Sequence, residues 1–228
     1  LHEGHRSLMR RARSADATTV ATIFVNPRQF NQASDYTQYP RDVEADIAIC
    51  ESEGVDVLWI PDVEEVYPPG FDTTVSVGAV AEPLEGAARP GHFDGVATVV
   101  AILFAAVGAE HAYFGQKDAQ QATVISRMAE DLDFRTRIVI LPTVRERDGL
   151  AMSSRNAHLC PHAHPCRLTG VAQTRPETHR PLVASPRNSL RAATCLVIAR
   201  SYASLNCPAA CDPLPARPWA SPRRLPRS

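Results

Sequence analysis

Two histidines three residues apart, His2 and His5, enclose Glu3 and Gly4 at the start of the sequence. The segment reads as a loop entering a helix over Arg6 to Ala15. Free backbone N–H groups and the helix dipole make such an N-terminus attractive to a phosphate. Gly4 lets the backbone approach the anion. The same spacing suits metal ligation, although no Cys, His or acidic partner follows at zinc-site spacing. Two exposed histidines are the plain alternative.

Lys117 is the single lysine among 24 basic residues and sits in Gly115-Gln116-Lys117-Asp118. At the carboxyl end of a strand it is a point charge for a phosphate; a solvated surface lysine is the alternative. Asn26-Pro27-Arg28-Gln29-Phe30 offers neutral donors and acceptors from Asn26 and Gln29 that match a hydroxy acid or an amide. Asn-Pro is also ordinary turn chemistry. Thr143-Val144-Arg145 and Met152-Ser153-Ser154-Arg155-Asn156 put two hydroxyls and a guanidinium after Gly149, as a loop closing on a charged phosphate chain requires. A polar turn is the other reading. Arg89, in Arg89-Pro90-Gly91-His92-Phe93, adds a cation.

These groups need elements to position them. Thr19 to Val25, Val55 to Ile60, Ala112 to Gly115 and Arg137 to Leu141 read as short buried strands. Arg41 to Glu53, with Val43, Ile47 and Cys50 at helical spacing, reads as a helix stopped by Gly54. Gly95 to Val107 and Ala119 to Leu132 read as two more. Alternating strands and helices build βαβ units, hence an α/β fold with a parallel sheet and flanking helices. Ligands then sit beyond the carboxyl ends of the strands, where the loops after Val25, Phe114 and Leu141 are expected to converge. No strand precedes His2, so the first strand is expected to be missing.

Composition divides the chain. Residues 1–159 hold 14 basic and 23 acidic side chains; Cys160 to Ser228 holds 10 basic, all arginine, against 2 acidic. The second stretch also has 11 of the 19 prolines and five of the six cysteines. No apolar run reaches the roughly 18 residues of a membrane span, and no basic-then-apolar leader opens the sequence. A soluble, cytoplasmic protein is expected, with no membrane partner. The arginine-rich stretch lacks an organised basic helix or an aromatic platform, so no nucleic-acid partner is expected. Cys160-Pro161-His162-Ala163-His164-Pro165-Cys166 invites a zinc reading, but its spacing fits no common finger. Leu190 to Tyr202 is the one stretch there able to form a helix of useful length. The composition is that of out-of-frame translation of a GC-rich gene, or of a disordered extension.

His2-Glu3-Gly4-His5, Ile23 to Phe30, Tyr39-Pro40-Arg41, Arg89 to Phe93, Tyr113 to Gln121 and Pro142 to Asn156 together resemble the pantothenate synthetase family, in order, from Leu1 to about Leu159. The resemblance implies a Rossmann-like fold of the nucleotidyltransferase superfamily. It also implies ATP-dependent joining of pantoate and β-alanine through a pantoyl adenylate, with Mg2+, in a homodimer. ATP would be bound by Leu1, His2, Glu3, Gly4 and His5, by Gly115, Gln116, Lys117 and Asp118, by Val144 at adenine, and by Met152, Ser153, Ser154 and Arg155. His2, His5 and Lys117 would serve catalysis at the phosphates, and Asp118 would face the ribose. Gln29 and Gln121 would hold pantoate, with Asn26 and Arg89 in the pantoate and β-alanine pocket.

Three departures from the family pattern stand out. The family has a strand and a Pro-Thr-Met-Gly-Ala-type segment before Leu-His-x-Gly-His, whereas this sequence starts at the leucine, so part of the ATP pocket is expected to be absent. Gln116 replaces the usual Glu. After Leu159 the family continues into a helical C-terminal lid, which Cys160 to Ser228 does not resemble. The sequence therefore reads as a catalytic domain over 1–159 and a tail over 160–228. The alternatives are a non-catalytic remnant that binds nucleotide or pairs with an intact subunit, and another transferase of the superfamily. The two glutamines and Met152 to Asn156 favour the ligase over the latter.

Overall fold

The computed structural model describes residues 1–30, 36, 42–154, 156 and 194–200. Helix α1 (Glu3–Ala15) begins where His2 caps it. His2 Nδ1 accepts the Gly4 N–H and His5 Nδ1 accepts the His2 N–H, each at 3.2 Å. This reciprocal pair satisfies donors that the first turn leaves open. Imidazole is not among the usual cap groups, which is why the sequence places the start three residues late. Leu8, Met9 and Ala12 form the buried stripe of α1.

The strands are β1 (Thr18–Ile23), β2 (Val57–Trp59), β3 (His111–Gly115), β4 (Arg137–Leu141) and β5 (Thr194–Arg200). They form one parallel sheet in the order β2-β1-β5-β3-β4. Helices α2 (Val43–Ser52), α3 (His92–Val107) and α4 (Ala119–Asp131) complete the α/β architecture that the alternating pattern implies. Val55 lies outside β2 because its N–H closes the end of α2 on the Cys50 carbonyl. Helix α3 starts at His92 because Gly91, at φ 78°, turns the chain into it.

Sheet residues alternate between two cores. Val20, Ala112, Phe114 and Leu196 face α3 and α4, packing with Val100, Phe104 and Ile125. Ala21, Ile23, Tyr113, Cys195 and Val197 face α1. At the amino ends of the strands, Asp16 accepts the Tyr113 hydroxyl at 2.6 Å and lies 2.7 Å from His111 Nδ1, tying the end of α1 to β3. Among the described residues, no helix is long and apolar enough to cross a membrane.

One expectation is corrected. The helix anticipated over Leu190 to Tyr202 is instead the strand Thr194–Arg200. It pairs with β1 from Thr18↔Thr194 to Thr22↔Ile198 and with β3 from His111↔Cys195 to Tyr113↔Val197. Cys195, Leu196 and Val197 are fully buried. Two flanking strand edges that need partners, and apolar layers on both faces, override a local helix propensity. By the right-handed crossover rule this is the slot of a strand feeding α1 into β1, so the position expected to be empty is filled. The Cys160 to Cys166 cluster lies outside the described residues.

Candidate active site

A crevice opens where three elements meet at the carboxyl ends of β3 and β4. The start of α1 contributes His2, Gly4, His5 and Leu8; the passage from β3 into α4 contributes Phe114, Gly115, Lys117, Asp118 and Gln121; the loop after β4 contributes Pro142, Thr143 and Val144. The amino termini of α1 and α4 therefore share one cavity, and their partial positive charges add there.

The caps define the chemistry of the histidines. Because Nδ1 of each ring accepts a backbone N–H, the neutral ring carries its proton on Nε2 and offers an N–H donor. The rings lie 4.0 Å apart between centroids. Lys117 Nζ pairs with Asp118 Oδ1 at 2.7 Å, both side chains being partly exposed. Such a partly exposed pair is weak. Gln121, on the first turn of α4, is buried at the crevice wall.

Other candidates take different places. Leu1 packs against the core layer that includes the buried stripe of α1. Glu3 pairs with Arg10 on the outer face of α1, and Gln116 is exposed. Met152 donates its N–H to the Val144 carbonyl at 2.9 Å, and Arg145 bridges Ala151. A tight hairpin turning at Gly149, φ 92°, thus returns Met152, Ser153 and Ser154 to the crevice residue Val144. Arg155 lies outside the described residues, as do Tyr39, Pro40 and Arg41.

Asn26, Gln29 and Arg89 are not among the crevice-lining side chains; they form a second cluster under α3. Asn26 Nδ2 donates to the Gly95 carbonyl at 3.0 Å, and its Oδ1 accepts the Arg28 N–H and the Tyr67 hydroxyl. Burial pushes the Tyr67 hydroxyl up to about 12, so it stays a neutral donor. A Cβ on Gly95 would lie 2.4 Å from the Arg28 carbonyl oxygen, so only glycine allows this approach of α3 to the Pro27–Gln29 turn. The Gln29 carbonyl accepts from Arg89 Nη2 at 2.8 Å and lies 3.0 Å from His92 Nδ1. Arg89 Nη1 also binds Glu85 at 2.8 Å. Sequence reasoning missed Tyr67, Glu85 and His92. The four-residue spacing of Glu85 and Arg89 was a readable signal, whereas Tyr67 meets Asn26 only through the fold.

A family model described as pantoate-beta-alanine ligase matches residues 1–168. The chain belongs to the pantoate-β-alanine ligase family. Pantothenate synthetase from Roseiflexus sp. (strain RS-1) is 60% identical over 161 residues, which cover 71% of this chain and 58% of that protein. The Aquifex aeolicus pantothenate synthetase is 55% identical over 161 residues, 71% of this chain and 57% of that one. Among solved structures, pantothenate synthetase from Thermus thermophilus superposes with a TM-score of 0.70 at 54% identity, covering 72% of this chain and 60% of that one. Pantoate-beta-alanine ligase from Francisella tularensis, complexed with beta-gamma ATP and beta-alanine, gives 0.69 at 41% identity, covering 71% and 62%. The chain thus spans about 58% of the length of these curated family members.

Proposed function

We propose that the chain condenses pantoate with β-alanine at the expense of ATP, releasing AMP and diphosphate. The observation that carries this reading is the meeting of His2, His5, Lys117, Asp118, Gln121 and Val144 in one crevice, at two helix amino termini, in a chain of the pantoate-β-alanine ligase family. A pantoate carboxylate oxygen attacks the α-phosphorus and diphosphate leaves; the β-alanine amine then attacks the acyl carbon of the pantoyl adenylate and AMP leaves. Both steps are governed by positioning and charge stabilisation. The Nε2–H groups of His2 and His5, the α1 amino terminus and Lys117 stabilise negative charge as the α-phosphorus is attacked. Asp118 faces the ribose, Val144 the adenine, and Gln29 and Gln121 the pantoate hydroxyls. Residues 1–159, completed by Thr194–Arg200, form the binding unit. Pairing as a homodimer in the cytoplasm is part of the same proposal.

Mg2+ fits this crevice as a companion of the triphosphate. Among the described residues no group of three His, Cys, Asp or Glu side chains gathers as a metal site. Mg2+ is commonly held by one or two carboxylates together with substrate phosphates. Asp118 is the carboxylate that lines the crevice; with it turned to the ribose, the phosphates themselves would hold the ion, which would supply charge neutralisation there.

The absence of Asn26 and Gln29 from the crevice lining favours a second reading, in which the chain binds nucleotide without completing ligation. Purified chain given ATP, Mg2+ and pantoate, with and without β-alanine, separates the two. AMP release that requires both acids supports the ligase. ATP binding with no AMP under any condition supports the second reading, and ATP hydrolysis indifferent to pantoate counts against the ligase.

A further inference from the structure

The geometry points to Glu85, Arg89 and His92 as a buried clamp that positions Gln29, making Arg89 a positioning residue and not a ligand of the substrate. The inference rests on the reading of Gln29 as a pantoate ligand. Two donors converge on one acceptor: Arg89 Nη2 and His92 Nδ1 both reach the main-chain carbonyl of Gln29, at 2.8 and 3.0 Å. Gln29 and His92 are each 1% exposed, so water does not compete for these bonds. Glu85 closes the group, 2.8 Å from Arg89 Nη1 and 3.7 Å from His92 Nε2. Its charge orients the guanidinium, and a charged donor onto a buried carbonyl makes one of the stronger hydrogen bonds.

The clamp has a fixed footing. Gln120 Oε1 accepts the Glu85 N–H at 3.0 Å, while its Nε2 donates to the Pro83 carbonyl at 2.7 Å. Gln120 lies on the first turn of α4 beside Gln121. The chain of contacts Gln120–Glu85–Arg89–Gln29 therefore ties the two glutamines proposed to hold pantoate to one frame. That frame fixes the distance between two amides carried on different elements, and a shift of about 1 Å in one of them is enough to lose most of its benefit.

A double-mutant cycle on the full chain tests this, with pantoate and ATP affinities measured by calorimetry for Gln29→Ala, Arg89→Met and the double variant. Each single change is expected to weaken pantoate about ten-fold or more. The double variant should be no weaker than Gln29→Ala alone, because without the amide there is nothing left to position. ATP affinity should stay within about two-fold, and Arg89→Lys should restore part of the pantoate affinity. If Arg89→Met does not fold, Arg89→Lys and Glu85→Gln take its place in the same cycle. Losses that multiply in the double variant would mean that Arg89 touches pantoate itself, and equal losses for ATP and pantoate would mean a role in the fold alone; either overturns the inference while leaving the ligase reading in place. A wild-type chain that binds ATP but no pantoate overturns both.

Discussion

At the scale of single side chains, His2 holds the helix and faces the crevice at once, and substitution separates the two roles. Asparagine caps a helix through its side-chain oxygen, while alanine does not, at a cost of about 1 kcal/mol. His2→Ala is therefore expected to lower both unfolding stability and ATP affinity. His2→Asn should restore the stability but not the affinity, since it lacks the Nε2–H. Urea unfolding alongside ATP calorimetry reads both, and a His2→Asn chain that binds ATP like wild type would remove His2 from the phosphate site. Lys117→Ala is expected to leave the fold intact, because its pairing with Asp118 is partly exposed. ATP binding should fall roughly ten- to a hundred-fold, the range of a charge-assisted contact; unchanged binding returns Lys117 to the solvated surface. At this scale much of the crevice's make-up was legible: imidazoles beside a glycine and a lone lysine are types that suit an anion, and the fold brings them into one crevice. Asn26 was legible as a polar group at a strand end and Arg89 as a cation ahead of the apolar helix, but not as groups spent on Gly95, Tyr67 and the Gln29 main-chain carbonyl, since those partners lie 41 to 69 residues away.

At the scale of elements, β1, β3, β4 and the three later helices follow from runs of β-branched residues and from spacing, with ends displaced by a few residues where caps outrank pattern. β5 was not legible, because a short apolar run suits either helix or strand and only two waiting edges decide it. Its presence has a pH signature. Burial pushes the Cys195 thiol from its ordinary 9.0 up to about 11, and the negative charge of Asp16 acts in the same direction against the contact with Thr19. Between these values the unfolded chain has lost a proton that the folded chain retains, so stability falls as pH climbs from about 9 to 11 and is unaffected by this group at lower pH. The urea midpoint should drop across that window, and drop less in Cys195→Ala, with Tyr113, also raised by burial, accounting for part of what remains. Equal slopes for both chains would show that Cys195 does not titrate from within the sheet.

For the whole molecule, β5 joins the β1–β2 half of the sheet to the β3–β4 half. Burying Cys195, Leu196 and Val197 contributes on the order of 5 kcal/mol at about 1.5–3 kcal/mol for each large apolar side chain, comparable to the lower end of a domain's total stability. A chain ending at Asn156 is thus expected to lose its cooperative thermal transition or to associate through the two opened edges. Calorimetry and size-exclusion chromatography check this, and a monomer with an unchanged melting temperature would show that β5 contributes nothing. The same strand also sets the order of folding. Thr19 meets a partner 176 positions further along the chain, so during synthesis at about 5–20 residues per second the two half-sheets emerge and wait, unpaired, for many seconds. The last join closes a loop of that length, the kind of contact that slows folding most. Until the ribosome has released residues Thr194–Arg200, the nascent protein is a pair of open sheets, and its fate in that interval depends on whichever extended segment reaches the gap first.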